Sequence, residues 1–323
     1  MVDKLIDNRG GLHSRITRRI YLHSFTLREC QQYLNEAGFD LDEYQILQNY
    51  MVMGGVPYYL SLLEPTMSMQ QNIDNLFFSH DAILGKEFDE LYNALFTNTD
   101  RYLTIVKLLS KHRKGLTRKE IEKATGFSGG SLSRTLTNLE QCDFIMGYNQ
   151  IGNKSKQTIY KLVDFYTYFY YRFVENNRSN DENYWMHHFQ DHSVEAWEGF
   201  SFELICQLHS YQIKFALGIS GIATEVASWR SMTDEHSAGS QVDLVIKRVD
   251  KIVHLCEMKF CEKPFVISSD YATKLKNRKA VFCEKTGITR GVVNTFVTPY
   301  GVQKGKYQNI VHSEVTAKDL FLR

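Results

Sequence analysis

Two adjacent stretches constrain this chain more than any others. Val242-Asp243-Leu244-Val245-Ile246 is followed by the polar turn Lys247-Arg248-Val249-Asp250-Lys251 and then by His254-Leu255-Cys256-Glu257-Met258-Lys259-Phe260. They read as two β-strands of one hairpin, with an acid on the first and Glu-x-Lys on the second. Side chains alternate along a strand, so Glu257 and Lys259 share a face and Met258 points to the other. Two carboxylates beside an ammonium suit a divalent cation and a charged phosphate with its attacking water. The alternative for Asp243, Glu257 and Lys259 is a set of solvated charges on a sheet edge.

An Asp followed by Asp/Glu-x-Lys resembles the core of the restriction-endonuclease-like family, and the resemblance covers about residues 191–323. In that fold a helix bearing an acid precedes the sheet. Residues 193–204 fit it, with Glu203 the matching acid. Another helix follows the Lys strand, here 269–285 with Tyr271, Lys274 and Arg278 at helical spacing, and a strand follows at 292–298. The usual Pro before the Asp is Val242 in this chain. The resemblance implies Asp243 and Glu257 as ligands of Mg²⁺ or Mn²⁺, joined by the Met258 carbonyl. It implies Glu203 as an outer helper and Lys259 as the group that positions water and offsets charge on the scissile phosphate. The reaction it implies is attack of water on a phosphodiester, leaving a 5′-phosphate.

At 323 residues, 43% hydrophobic and 23% charged, the chain is long enough for two or three domains with proper cores. Four prolines exclude long Pro-rich linkers. Net charge is +1, but its distribution is uneven. Residues 101–160 hold eleven Lys/Arg against four Asp/Glu, and residues 244–290 hold eleven against five. Such local basic surfaces suit a polyanion such as DNA. The six cysteines form no C-x-x-C pair and match no zinc spacing, and they read as reduced thiols. The first residues carry no apolar signal region and no apolar run approaches eighteen residues. The expectation is a cytoplasmic protein with no membrane partner.

Residues 8–15 read as a loop and 19–22 as a short strand. Thr26 and Glu29 then stand at capping-box spacing before a helix. Residues 31–95 read as several helices, broken at Gly54-Gly55-Val56-Pro57. Gly-Gly-Leu-His-x-Arg at 10–15, Phe-Thr-Leu-x-Glu at 25–29 and Gly55-Val56-Pro57 resemble the end of an archaeal-type P-loop ATPase of the signal-transducing (STAND) branch. In that family the Gly-x-Pro segment lies in a helical lid and approaches the nucleotide base, which implies weak nucleotide contact at Gly55 and Pro57. Several members continue into a winged helix and a nuclease-like domain, the order seen here. No G-x-x-x-x-G-K-[ST] loop occurs, and Gly301-Val302-Gln303-Lys304-Gly305-Lys306-Tyr307 is one residue short and ends in Tyr. The chain is therefore expected neither to bind nor to hydrolyse ATP on its own; ATP would need a P-loop core it lacks.

Residues 100–160 read as a winged helix. Helices run over 102–111, from the capping pair Thr117 and Glu120, and over 131–141, and wing strands at 144–148 and 158–162 enclose a polar tip at 152–156. DNA contact is expected from Ser131 and Arg134 on the third helix and from Lys154 and Lys156 at the tip, with Lys274 and Arg278 in the C-terminal domain. The alternative is a protein-docking module. The aromatic run Phe165, Tyr166, Tyr168, Phe169, Tyr170, Tyr171 and Phe173 suits core packing better than base stacking, being apolar on both faces. His188 and His192 stand at the i, i+4 spacing of zinc proteases, but Phe189 takes the place of the general base, and a solvated or capping pair is expected.

The fold expected is thus multidomain α and α/β: a remnant of an ATPase core (1–30), a helical lid (31–98), a winged helix (99–163), a connecting aromatic helix (164–190) and a restriction-endonuclease-like α/β domain with a central mixed sheet (191–323). The function expected is a DNA-associated protein with metal-dependent endonuclease chemistry. The alternative is a catalytically inactive DNA- or protein-binding effector portion that associates with an ATPase core or with itself.

Overall fold

In the computed structural model, which describes residues 18, 20–151, 158–231 and 240–322, capping chemistry sets where the first helices begin. Thr26 Oγ1 accepts from the Glu29 amide at 3.3 Å, and the Glu29 carboxylate accepts from the Thr26 amide at 2.8 Å. This reciprocal pair opens α1 (Leu27–Glu36) and satisfies donors that a helix start leaves open. Asp42 does the same for α2 (Glu43–Met53). Then come α3 (Pro57–Ser61), α4 (Met69–Ile73), which runs into a π-turn at Asp74–Phe78, and α5 (Ile83–Leu95). Pro57 sits in the first turn of α3, where its missing N–H costs nothing.

The expected strand at 19–22 is not formed. Ile20, Tyr21 and Leu22 are exposed and without regular structure. A strand needs a partner ladder, and none of the described strands pairs there. The chain is tied instead at Phe25, whose amide donates to Gly55 O at 2.7 Å. A Cβ on Gly55 would lie 2.0 Å from Phe25 O, so only glycine allows this approach. Residues 10–15 lie outside the described residues, as do Arg19 and the tip at 152–156 with Lys154 and Lys156.

Residues 99–163 form three helices and a small antiparallel sheet. The elements are α6 (Thr99–Lys111), β1 (Leu116–Thr117), α7 (Arg118–Thr125), α8 (Gly129–Gln141), β2 (Ile145–Tyr148) and β3 (Ile159–Leu162), with sheet order β1-β3-β2. Thr117 and Glu120 form the capping box their spacing announces. Next is α9 (Phe165–Phe169), extended by a π-turn at Tyr170–Val174. Phe165, Tyr166, Tyr168, Phe169 and Phe173 are all buried. The Tyr166 hydroxyl donates to Leu84 O at 2.7 Å, and the Phe169 ring meets Phe77 at 4.9 Å and Trp197 at 5.6 Å. The aromatic run is core, shared between the N-terminal helices and the C-terminal part of the chain.

The C-terminal part begins with α10 (Tyr184–His188), α11 (His192–Leu208) and α12 (Ser210–Ala216). It continues through β4 (Thr224–Ser231), β5 (Ser240–Arg248), β6 (Val253–Met258), α13 (Ser269–Thr286), β7 (Val292–Val297), β8 (Ser313–Val315) and α14 (Ala317–Leu320). The five-stranded sheet runs β4-β5-β6-β7-β8 and is mixed: β4, β5 and β6 are antiparallel, whereas β6, β7 and β8 are parallel. Helix α13 makes the crossover that parallel β6 and β7 require. Every residue of β6 is buried. Leu244, Cys256 and Met258 join the core that includes Phe202, Ile205 and Cys206 of α11. Val245, Val253 and Leu255 pack with Phe282 of α13.

Residues 99–163 are stitched to this sheet by backbone. The Ile151 amide donates to Ser228 O at 3.0 Å, and the Ser228 amide donates to Asn149 O at 3.1 Å. Ile151 then buries its side chain with Trp229 and Val242.

Candidate active site

Strand β5 has one residue more than its neighbour can match. Trp229 pairs with Val242 and Ala227 with Val245, so Asp243 and Leu244 face Ser228 alone. A bulge of this kind re-aims a side chain that strict alternation would send the other way. Asp243 is placed accordingly. Its Oδ1 accepts from Gln241 Nε2 at 2.7 Å and lies 3.5 Å from Lys161 Nζ, which comes from β3. Gln207 of α11 bridges the two, with Nε2 donating to Asp243 O at 2.8 Å and Oε1 accepting from Lys161 Nζ at 3.4 Å.

The pairing of β5 with β6 ends at Leu244 and Cys256, so the strands part where the next residues, Asp243 and Glu257, stand. Glu257 is 6% exposed. Its Oε1 accepts from the Tyr271 hydroxyl and lies 3.2 Å from Lys259 Nζ, and its Oε2 is bonded to Arg278 Nη1. Tyr271 and Arg278 are seven residues apart, two turns along one face of α13. Lys259 Nζ also stands over the Tyr271 ring, 5.4 Å from its centroid. Glu257 and Lys259 thus share a face, as alternation requires.

Glu203, on α11, feels both groups. Burial first, and then the Asp243 carboxylate, push its carboxyl up to about 8 against the pull of Lys259 and Lys161, with Glu257 adding to the rise. Near neutral pH it holds its proton and can donate. The raised value also sets a sign for stability. At this carboxyl the folded chain keeps a proton that the unfolded chain loses near 4.5, so its own contribution to stability falls as pH climbs from about 4.5 to 8. Glu203→Gln should flatten that slope. Urea titrations of both proteins across this interval will check it, and parallel curves would refute it.

The donors suit a hard divalent cation in kind: the carboxylates of Asp243 and Glu257, and the Gln241 Oε1 atom, which is buried without a hydrogen-bond partner. Convergence of Asp243 and Glu257 on one ion is not what the side chains now do. Lys161 stands on the first and Lys259 and Arg278 on the second. Among the described residues, no group of three or more His, Cys, Asp or Glu is close enough to hold a metal ion.

The remaining expected residues fall elsewhere. Ser131 and Arg134 are exposed on α8, and Lys274 is exposed on α13. Arg278 is engaged by Glu257 rather than presented to solvent alone. Gly55 lines a cavity of about 430 Å³ with Glu140, Asp143, Asp164 and His209 in its wall. His188 and His192 are surface groups bonded to Asp191 and Glu195. Lys161 and Gln207 carried no signal in the sequence, since each meets Asp243 only through the tertiary fold. Gln241 was within reach, two residues before Asp243 on the same strand.

No family model, curated protein or solved structure matches the chain. No helix among the described residues is long and apolar enough to cross a membrane.

Proposed function

We infer that this is a DNA-associated protein whose C-terminal domain is restriction-endonuclease-like and carries a phosphodiester-hydrolysing site at Asp243, Glu257 and Lys259. The observation that supports this reading best is the arrangement at the parting of β5 and β6. An acid at a bulge, Glu-x-Lys on the next strand and an acid from the preceding helix all act on one another there. A Mg²⁺ or Mn²⁺ ion held by Asp243 and Glu257 would act as Lewis acid and lower the pKa of a water. Lys259, partly exposed, offsets charge on the phosphate oxygens. Glu203 in its neutral form donates to an oxygen or relays a proton, and Tyr271 and Arg278 fix the Glu257 carboxylate.

Residues 99–163 fit a winged helix, with α8 as the helix presented to the groove. The excess of Lys/Arg in this stretch predicts duplex binding that weakens with salt and reads little sequence. Arg134→Glu should weaken binding to all duplexes alike and lower the salt slope by about 1. Fluorescence anisotropy across a salt series measures both. Absence of binding by the unaltered protein at micromolar concentration would turn the reading to a protein-docking module.

One observation favours a second reading. Glu257 is already saturated by Tyr271, Lys259 and Arg278, which suits a domain that binds without cutting, as in the effector portion of a STAND-type ATPase. Incubation of plasmid and single-stranded DNA with Mg²⁺ or Mn²⁺ decides between the two. Cleavage that follows the intact protein supports hydrolysis, and none at any metal concentration supports the effector.

A further inference from the structure

The ion pair between Lys161 and Asp243 joins two regions of the chain. Lys161 belongs to β3, and its side chain is 9% exposed. A buried ammonium is costly unless it is paired and hydrogen-bonded, and this one is met by Asp243, Gln207 and the Tyr148 ring, 5.3 Å from Nζ. The backbone stitch at Asn149, Ile151 and Ser228 holds the same region against the sheet. The lysine is therefore positioned by the fold.

Its neighbourhood offers a second seat. Lys161, Glu203, Gln207, Tyr168 and Arg113 line a cavity of about 40 Å³ beside the ion pair, room for about three waters. The buried Tyr168 hydroxyl in this lining is already turned toward Arg113, so the acceptors open to a lysine there are Gln207 Oε1 and the Glu203 carboxyl. An ammonium leaving Asp243 would keep Gln207 Oε1 as an acceptor in the lining of this cavity.

We propose that Lys161 is a resident cation that competes with a divalent metal ion for Asp243, so that the region read as a winged helix governs loading of the carboxylate cluster. A positive charge about 3.5 Å from a carboxylate oxygen repels a second cation there, and removing it strengthens the site's hold on metal. When the ion arrives, Lys161 turns from Asp243 toward Gln207 Oε1, which it already meets.

The inference rests on Asp243 as a metal ligand, and the experiment separates the two. Mn²⁺ binding is followed by electron paramagnetic resonance for the unaltered protein, Lys161→Met, Lys161→Arg and Asp243→Asn, with thermal unfolding alongside. Lys161→Met should bind Mn²⁺ about tenfold more tightly than the unaltered protein, and Lys161→Arg, which keeps the charge, should not. Asp243→Asn should abolish binding. If Lys161→Met fails to fold, Lys161→Gln takes its place, since it can still donate to Asp243 without the charge. Equal affinity in folded charged and uncharged variants overturns the competition alone. No Mn²⁺ bound by any variant at millimolar metal overturns the metal reading of Asp243 and the competition with it.

Discussion

If the proposed site hydrolyses DNA, Lys259→Ala and Asp243→Ala should each remove cleavage while leaving duplex affinity nearly unchanged. Loss of one charge-stabilising group at such a site costs about 2.7–4 kcal/mol in the barrier, a hundred- to thousand-fold in rate. Affinity comes mainly from basic surfaces that contact phosphates, and Asp243 is not among them. Glu203→Ala should cost less, because its carboxyl is set back on α11. The assay is plasmid nicking with Mg²⁺ and Mn²⁺, run beside anisotropy on the same preparations. Cleavage that survives in both single variants would place the activity elsewhere. Loss of binding together with cleavage would show that the residues hold DNA rather than act on it.

The second large effect is on stability. Arg278→Ala leaves the Glu257 carboxylate buried with one of its two cations gone. Breaking a buried pair from one side typically costs about 3–5 kcal/mol. Lys259 remains 3.2 Å from Glu257 Oε1, so a loss of about 3 kcal/mol is expected, at the lower end of that range. Lys274→Ala, on the exposed face of the same helix, should stay within about 0.5 kcal/mol. Urea denaturation of the two variants decides. Equal small losses would mean that Arg278 is a surface group available for phosphate, and the close contact with Glu257 would then count for nothing.

These residues also show what a single sequence discloses. Local rules with a spacing of three or four carried well. The Thr26–Glu29 and Thr117–Glu120 pairs cap helices as their positions announce, and α13 puts Tyr271 and Arg278 on one face. Period-two alternation gave the Glu257–Lys259 pair. It did not give the bulge at Asp243, because an extra residue in a ladder shows only when the neighbouring strand is known. That neighbour, β4, was itself unread, and so was β8, three residues long and supported only by its pairing with β7. The apolar-rich segment at 19–22 looked like a strand because composition records the preference and not the presence of a partner. Lys161 and Gln207 lay beyond sequence reasoning altogether. Each is an ordinary polar residue until the fold lays it against a strand far along the chain.

Ser228 is the residue that β5 outnumbers and the one that the chain at 149–151 grasps. Strand β4 ends the sheet on that side. A terminal strand normally offers a free row of amides and carbonyls on which another molecule's strand can grow into an aggregate. Here the middle of that row is occupied from within, at a kink that twists it away from flatness. A second copy could extend the sheet only after prying off Asn149 and Ile151 and uncovering the apolar pocket that Ile151 fills. The contact that holds the region of Lys161 against the sheet therefore also hinders strand addition at the β4 edge.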